Sequence, residues 1–166
     1  MHLVDLATGA CARQPDLLRS RVYHAAARLP DGRIICAGGY DAAGLSSAEV
    51  GGLTEHGGAD ASWTWTELPA MIAGRYACCG CVMSDGRFAI LGGIGVEGMG
   101  GSLSSCEALG GAAHWETMPP MHDMRSSFVC AAAAGCVIVA GGRGRTSAEV
   151  YDESRNRWLR LPCDLP

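Results

Sequence analysis

The chain has 166 residues, a formal net charge of −4 and 18% charged residues. That length suits one domain with a sizeable core, and an acidic balance argues against a nucleic-acid partner, which needs clustered positive charge. No run of 18 apolar residues is present, so no helical membrane span is expected. Glycine, at 24 residues, is about twice its ordinary share and points to many tight turns.

The first fourteen residues have neither the basic nor the apolar stretch that directs secretion. Asp5 stands six residues before Cys11, and Cys11 four before Pro15. The same spacing closes the chain, where Asp152 is six before Trp158 and Trp158 four before Pro162. Residues 1–20 therefore read as the last two strands of a repeating unit, with Cys11 in the place of a tryptophan.

The next stretch, 21–71, shows the unit in full. Arg21 leads into a small-residue strand, Ala25-Ala26-Ala27, and Asp31-Gly32 makes the hairpin turn, since glycine tolerates positive φ. An apolar strand, Arg33–Ala37, ends at Gly38-Gly39. Ser47-Ala48-Glu49 opens a third strand, Gly51–Ser62 is a glycine-rich insertion, and Trp65 with Pro69 closes the unit. Stretch 72–121 repeats the order with Arg75, Ala77–Cys81, Asp85-Gly86, Arg87–Leu91, Gly92-Gly93, a glycine-rich loop over Ile94–Leu103, Ser105-Cys106-Glu107, Trp115 and Pro119. Stretch 122–163 does so again with Arg125, Cys130–Ala134, Gly135, Val137–Ala140, Gly141-Gly142, Ser147-Ala148-Glu149, Trp158 and Pro162. The arginines lie 54 and 50 residues apart, and such a period is the signature of a repeat architecture.

Arginine, small strand, Gly-Gly, Ser-x-Glu, Trp and Leu-Pro in that order resemble the kelch repeat, three times over residues 21–162. The resemblance implies an all-β, kelch-type β-propeller of four-stranded blades. The partial unit makes about three and a half blades, an incomplete ring. Its open sheet edges are expected to need the rest of a propeller or self-association. Alanine-rich strands would be helical on propensity alone. Strands crowded about a propeller axis admit only small side chains, and the repeat overrides propensity.

No other constellation competes. Gly98-Met99-Gly100-Gly101 fits neither dinucleotide nor phosphate-loop spacing. Among nine cysteines the one Cys-x-x-Cys is Cys78–Cys81, whose sulfurs should diverge because residues three apart on a strand face opposite ways. The cysteines read as small buried hydrophobes in a reducing compartment, which places the chain in the cytoplasm or nucleus. The five histidines occupy non-equivalent positions, so neither a metal nor another cofactor is expected.

Two roles are open for Arg21, Arg75 and Arg125. Each can pair with the glutamate of its unit, Glu49, Glu107 or Glu149, because a buried charge needs a partner. The resemblance implies another role. In peptide-binding kelch domains the residues before the first strand and after the double glycine face one mouth of the ring. Here those are Arg21, Arg75, Arg125, Ser126, Tyr40, Asp41, Arg143 and Arg145, a set suited to an acidic protein or peptide. The function so implied is a protein-binding module, as in scaffolds and ubiquitin-ligase substrate adaptors. The alternative is part of a galactose-oxidase-like copper-radical oxidase, whose core is a similar propeller.

Overall fold

A computed structural model describes residues 2–54, 62–96, 100–110 and 114–162. Within them every regular element is a strand. The chain opens with a hairpin of β1 (His2–Val4) and β2 (Cys11–Arg13). The first blade holds β3 (Ala25–Arg28), β4 (Ile34–Ala37), β5 (Tyr40–Asp41), β6 (Ala43–Gly44), β7 (Ala48–Thr54) and β8 (Ser62–Leu68). The second holds β9 (Arg75–Tyr76), β10 (Cys79–Val82), β11 (Phe88–Leu91), β12 (Ile94–Gly95), β13 (Cys106–Leu109) and β14 (Trp115–Met118). The third is β15 (Val129–Ala133), β16 (Cys136–Ala140), β17 (Ala148–Asp152) and β18 (Arg157–Arg160).

Three four-stranded sheets, ordered β3-β4-β7-β8, β10-β11-β13-β14 and β15-β16-β17-β18, are antiparallel throughout. Each is a meander, with the short β5–β6 hairpin and β12 set between the second and third strands of the first two sheets. The innermost strands lie side by side, β3 against β10 and β10 against β15. The alanines at 131–133 are strand, as the repeat required. The turn after them puts both Ala134 (φ 51°) and Gly135 (φ 73°) in the left-handed region, as a two-residue hairpin turn demands.

The core is two seams between blades. Ile35, Ala37 and Ala48 of the first blade pack on Phe88, Ile90 and Trp115 of the second. Ala89, Leu91, Cys106 and Ala108 on its opposite face pack on Val137, Val139, Tyr151 and Trp158 of the third. Strand alternation explains the division, because neighbours along β11 point to different seams. The second strand of the unit is covered on both faces in β4 and β11 but not in β16. Val137 and Val139 are fully buried, whereas Ile138 is 42% exposed and Val129 beside it 67%. No sheet covers that face among the described residues.

Two stretches read as loops are partly strand. Gly51 and Gly52 lie inside β7, which pairs with β8 from Ala48↔Leu68 to Thr54↔Ser62. A Cβ at Gly51 would stand 2.7 Å from the Trp65 ring, so glycine is what lets the indole lie over the strand. In the second blade, Ile94–Gly95 pairs with Tyr76 and Arg75, and Leu103 bridges to Arg125. The rest of both stretches, 55–61 and 97–99, and with it Gly98-Met99, lies outside the described residues.

Candidate functional site

The five marks of the repeat form one hydrogen-bonded unit. Arg21 donates through Nη1 to Gly38 O (2.6 Å) and Ser47 O (3.1 Å), and through Nη2 to Glu49 Oε1 (2.6 Å). Arg75 does the same to Gly92 O, Ser105 O and Glu107 Oε1, at 2.8, 2.9 and 2.5 Å. Arg125 does so to Gly141 O, Ser147 O and Glu149 Oε1, at 2.8, 2.7 and 3.0 Å. One guanidinium thus ties the end of the second strand to the start of the third, which its rigid fork of donors suits.

Each glutamate also accepts from the linker entering its blade. Leu18 N–H donates to Glu49, Ile72 and Ala73 N–H to Glu107, and His122 and Asp123 N–H to Glu149. The tryptophans close the circuit, since Trp65, Trp115 and Trp158 Nε1 donate to Pro15 O, Pro69 O and Pro119 O. The second glycine of the first two pairs reaches the next blade, with Gly39 N–H donating to Arg75 O and Gly93 N–H to Arg125 O, both 2.8 Å.

This geometry decides between the two roles of the arginines. All three side chains are 0% exposed. Ser126 is also buried, with its Oγ on Ser102 Oγ. Arg21, Arg75, Arg125 and Ser126 therefore present no side-chain surface to a partner, and the mouth set loses these four. The physical reason is that a guanidinium saturated by two carbonyls and a carboxylate gains nothing by turning to water. One imperfection remains in the middle copy, where Arg75 Nε is buried with no partner.

Tyr40, Asp41, Arg143 and Arg145 are exposed. Tyr40 and Asp41 sit on the β5–β6 hairpin that follows the first double glycine. Arg143 and Arg145 occupy the matching turn of the third blade, and Arg145 leans 3.7 Å from Asp123. Asp123 also meets Arg160 (3.2 Å) and accepts from Ser147 Oγ (2.7 Å). That hydroxyl, followed by the surrounding arginines, holds its carboxyl below the usual range, against the opposing effect of burial.

The structure adds residues that spacing did not single out. Tyr40 and Tyr76 stack edge to face with centroids 5.3 Å apart. Val22 bridges to Tyr40, and Tyr23, 70% exposed, hands its carbonyl to Ala77 N–H. Tyr23, Ala77 and Ser127 share a position and a φ of 50–55°, so the inner strands all begin with one left-handed residue that turns the chain at the mouth. Val96 (40% exposed) lies close over Gly44 and Gly74 from the second blade. An apolar, aromatic patch of Val22, Tyr23, Tyr40, Tyr76 and Val96 thus spans the first two blades. The signal available in the sequence was the offset of Tyr23 and Tyr76 from the repeat arginines, two residues and one.

Elsewhere the chemistry is quiet. A cleft of about 470 Å³ lies at the opposite end between the first two blades, lined by Leu29, Pro30, Leu68, Phe88 and Leu109 and rimmed by the ion pairs Asp31–Arg33 and Asp85–Arg87. His24 is half-buried on the way into β3 with Nδ1 unpartnered, and burial, then the Arg21 charge, pushes it below the usual histidine range. Burial pushes the thiols of Cys36 and Cys78 up to about 11 and that of Cys106 to about 12, the behaviour of packing residues. Cys78 packs in one seam and Cys81 in the other, so their sulfurs do diverge. Among the described residues no three of His, Cys, Asp and Glu are placed to hold a metal ion.

No protein-family profile matches the chain. An F-box/kelch-repeat protein of Arabidopsis thaliana is 43% identical over 55 residues, 30% of this chain and 14% of that protein. Kelch domain-containing protein 8B of Homo sapiens, like that of Rattus norvegicus, is 29% identical over 115 residues, 60% of this chain and 32% of the relative. The solved structure of YjhT superposes with a TM-score of 0.73 at 16% identity, over 92% of this chain and 54% of that one. The chain thus spans about a third or less of the curated relatives it matches. Repeat network, sheet order and these likenesses agree on a β-propeller fold of kelch type.

Proposed function

We propose that the chain is a protein-binding module whose site is the mouth formed by Val22, Tyr23, Tyr40, Tyr76 and Val96, flanked by Asp41, Arg143 and Arg145. The observation that carries this reading is the exposure of tyrosines beside the inner strands, held by backbone bonds between blades. Tyrosine supplies large contact area at low entropic cost and is enriched in binding hot spots. The exposed arginines of the third blade favour an acidic peptide or protein segment, captured by charge-assisted hydrogen bonds. A substrate-adaptor or scaffold role is the fuller form of this function, and a reducing compartment, cytoplasm or nucleus, suits its cysteines.

The test is selection of displayed peptides on the purified chain, followed by titration calorimetry of the winners. Acidic, aromatic-containing peptides are expected, with affinity falling as salt rises. Tyr40→Ala and Arg143→Glu should each weaken binding about tenfold or more, on the scale of interface hot spots. Failure to select any peptide, or affinities indifferent to both substitutions, would overturn the proposal.

A further inference from the structure

Three thiols meet where the innermost strands of the second and third blades run together. On β10, Cys79 pairs with Leu91 and Cys81 with Ala89. Residues directly opposite in an antiparallel pair share a face, so both sulfurs point with Ala89 and Leu91 into the seam facing the third blade. On β15, Cys130 pairs with Val139, whose side chain fills the same seam from the other side. The bond from Ser127 N–H to Ala77 O (2.9 Å) sets the two strands in register. Cys130 is three residues past Ser127, while Cys79 and Cys81 are two and four past Ala77. Cys130 therefore sits between their heights, and its thiol interacts with both.

The matching place in the other seam is filled differently. There Ala25 and Ala27 face Gly80, where a Cβ would stand 2.6 Å from the Phe88 ring and 2.9 Å from the Cβ of Ala25. An aromatic ring takes up that height between the first two blades, whereas thiols stand at it between the second and third.

We propose that Cys79 and Cys130 are a peroxide-reactive dithiol site, oxidised to a disulfide that joins the second blade to the third across the inner seam. The Cys79 thiolate attacks one oxygen of hydrogen peroxide, the O–O bond breaks, and the departing hydroxide leaves as water after taking a proton. Cys79 is then a sulfenic acid. Cys130 loses its proton and attacks the Cys79 sulfur, the S–O bond breaks, and a second water leaves as the S–S bond forms. Two electrons pass from the thiols to peroxide, and a dithiol reductant reverses the change.

Accessibility and acidity suit these roles. Cys79 and Cys130 are both half-buried, whereas Cys81 is 8% exposed. Beside Cys130 the Cys79 thiol is lowered to about 7, against the effect of burial, while Cys130 itself is pushed up. The direction of these shifts suits Cys79 as the nucleophile and Cys130 as the resolving thiol.

The experiment treats the chain with equimolar hydrogen peroxide at pH 7, then alkylates it and maps it by mass spectrometry. The free thiols should fall from nine to seven, with 76–87 linked to 126–143 through Cys79 and Cys130, and dithiothreitol should restore all nine. Cys79→Ser and Cys130→Ala should abolish the link, and Cys106→Ser should leave it intact. Circular dichroism confirms folding of each variant. Absence of the link in the folded wild-type chain, Cys79 running on to sulfinic acid unlinked, or linkage through Cys78 or Cys136 instead would overturn the proposal.

Discussion

Trp115 and Trp158 show what a single side chain contributes to this fold. Each lies in a seam between blades and donates its indole N–H to a proline carbonyl of the preceding linker. Replacing Trp115 by alanine opens a cavity and orphans Pro69 O, so equilibrium denaturation should show a loss of about 3–5 kcal/mol. Asp123 gives a pH-dependent counterpart. Its carboxyl is held below the ordinary value, so it contributes stability present above that value and lost as pH falls through its folded pKa. In Asp123→Asn the fall in melting temperature on acidification below about pH 4 should be shallower than in the wild type. At this scale the sequence was legible where a residue recurs. Trp, Arg, Glu and Gly each stood out by repetition, and the Trp–Pro bonds and the arginine bonds to the first glycine, the serine and the glutamate recur in all three copies. Residues that act once were not legible, such as the Tyr40–Tyr76 pair and the thiols meeting at Cys130, because contacts made in a single copy leave no periodic trace.

Among the elements, the double-glycine turns are the most constrained. Gly38 has a φ of 66°, and a Cβ there would stand 2.6 Å from Arg75 O of the next blade. Gly144 has nearly the same φ, 69°, but nothing within 4 Å of a Cβ. Gly144→Ala should therefore cost about 1–2 kcal/mol for the left-handed backbone alone. Gly38→Ala should cost clearly more, since it also pushes apart the Gly39 N–H to Arg75 O bond, and paired urea melts would separate the two. Strand order and hairpin turns could be read from apolar runs and Asp-Gly pairs. Strand length could not, as β7 and β8 show. There Gly51 and Gly52 looked like loop, and only the indoles of Trp63 and Trp65 beside Gly51 and the Arg33 side chain beside Gly52 make glycine a strand residue.

Taken whole, the molecule separates what holds it together from what it offers outward. The buried Arg–Glu–backbone circuits knit each blade and its linker, while Tyr23, Tyr40 and Arg143 project from the same end without belonging to any of them. The repeat was legible because stability needs the same contacts in every blade; the binding surface was only half legible because specificity needs each blade to differ. The most direct test is equilibrium urea unfolding of Arg75→Ala and Arg125→Ala beside Arg143→Ala and Arg145→Ala. Removing a buried arginine strands Glu107 or Glu149 without its counter-charge, and each such variant should lose about 3–5 kcal/mol. The two turn variants should stay within about 0.5 kcal/mol of the wild type. Unchanged midpoints for Arg75→Ala and Arg125→Ala would contradict the account, because the arginines would then be free for another task.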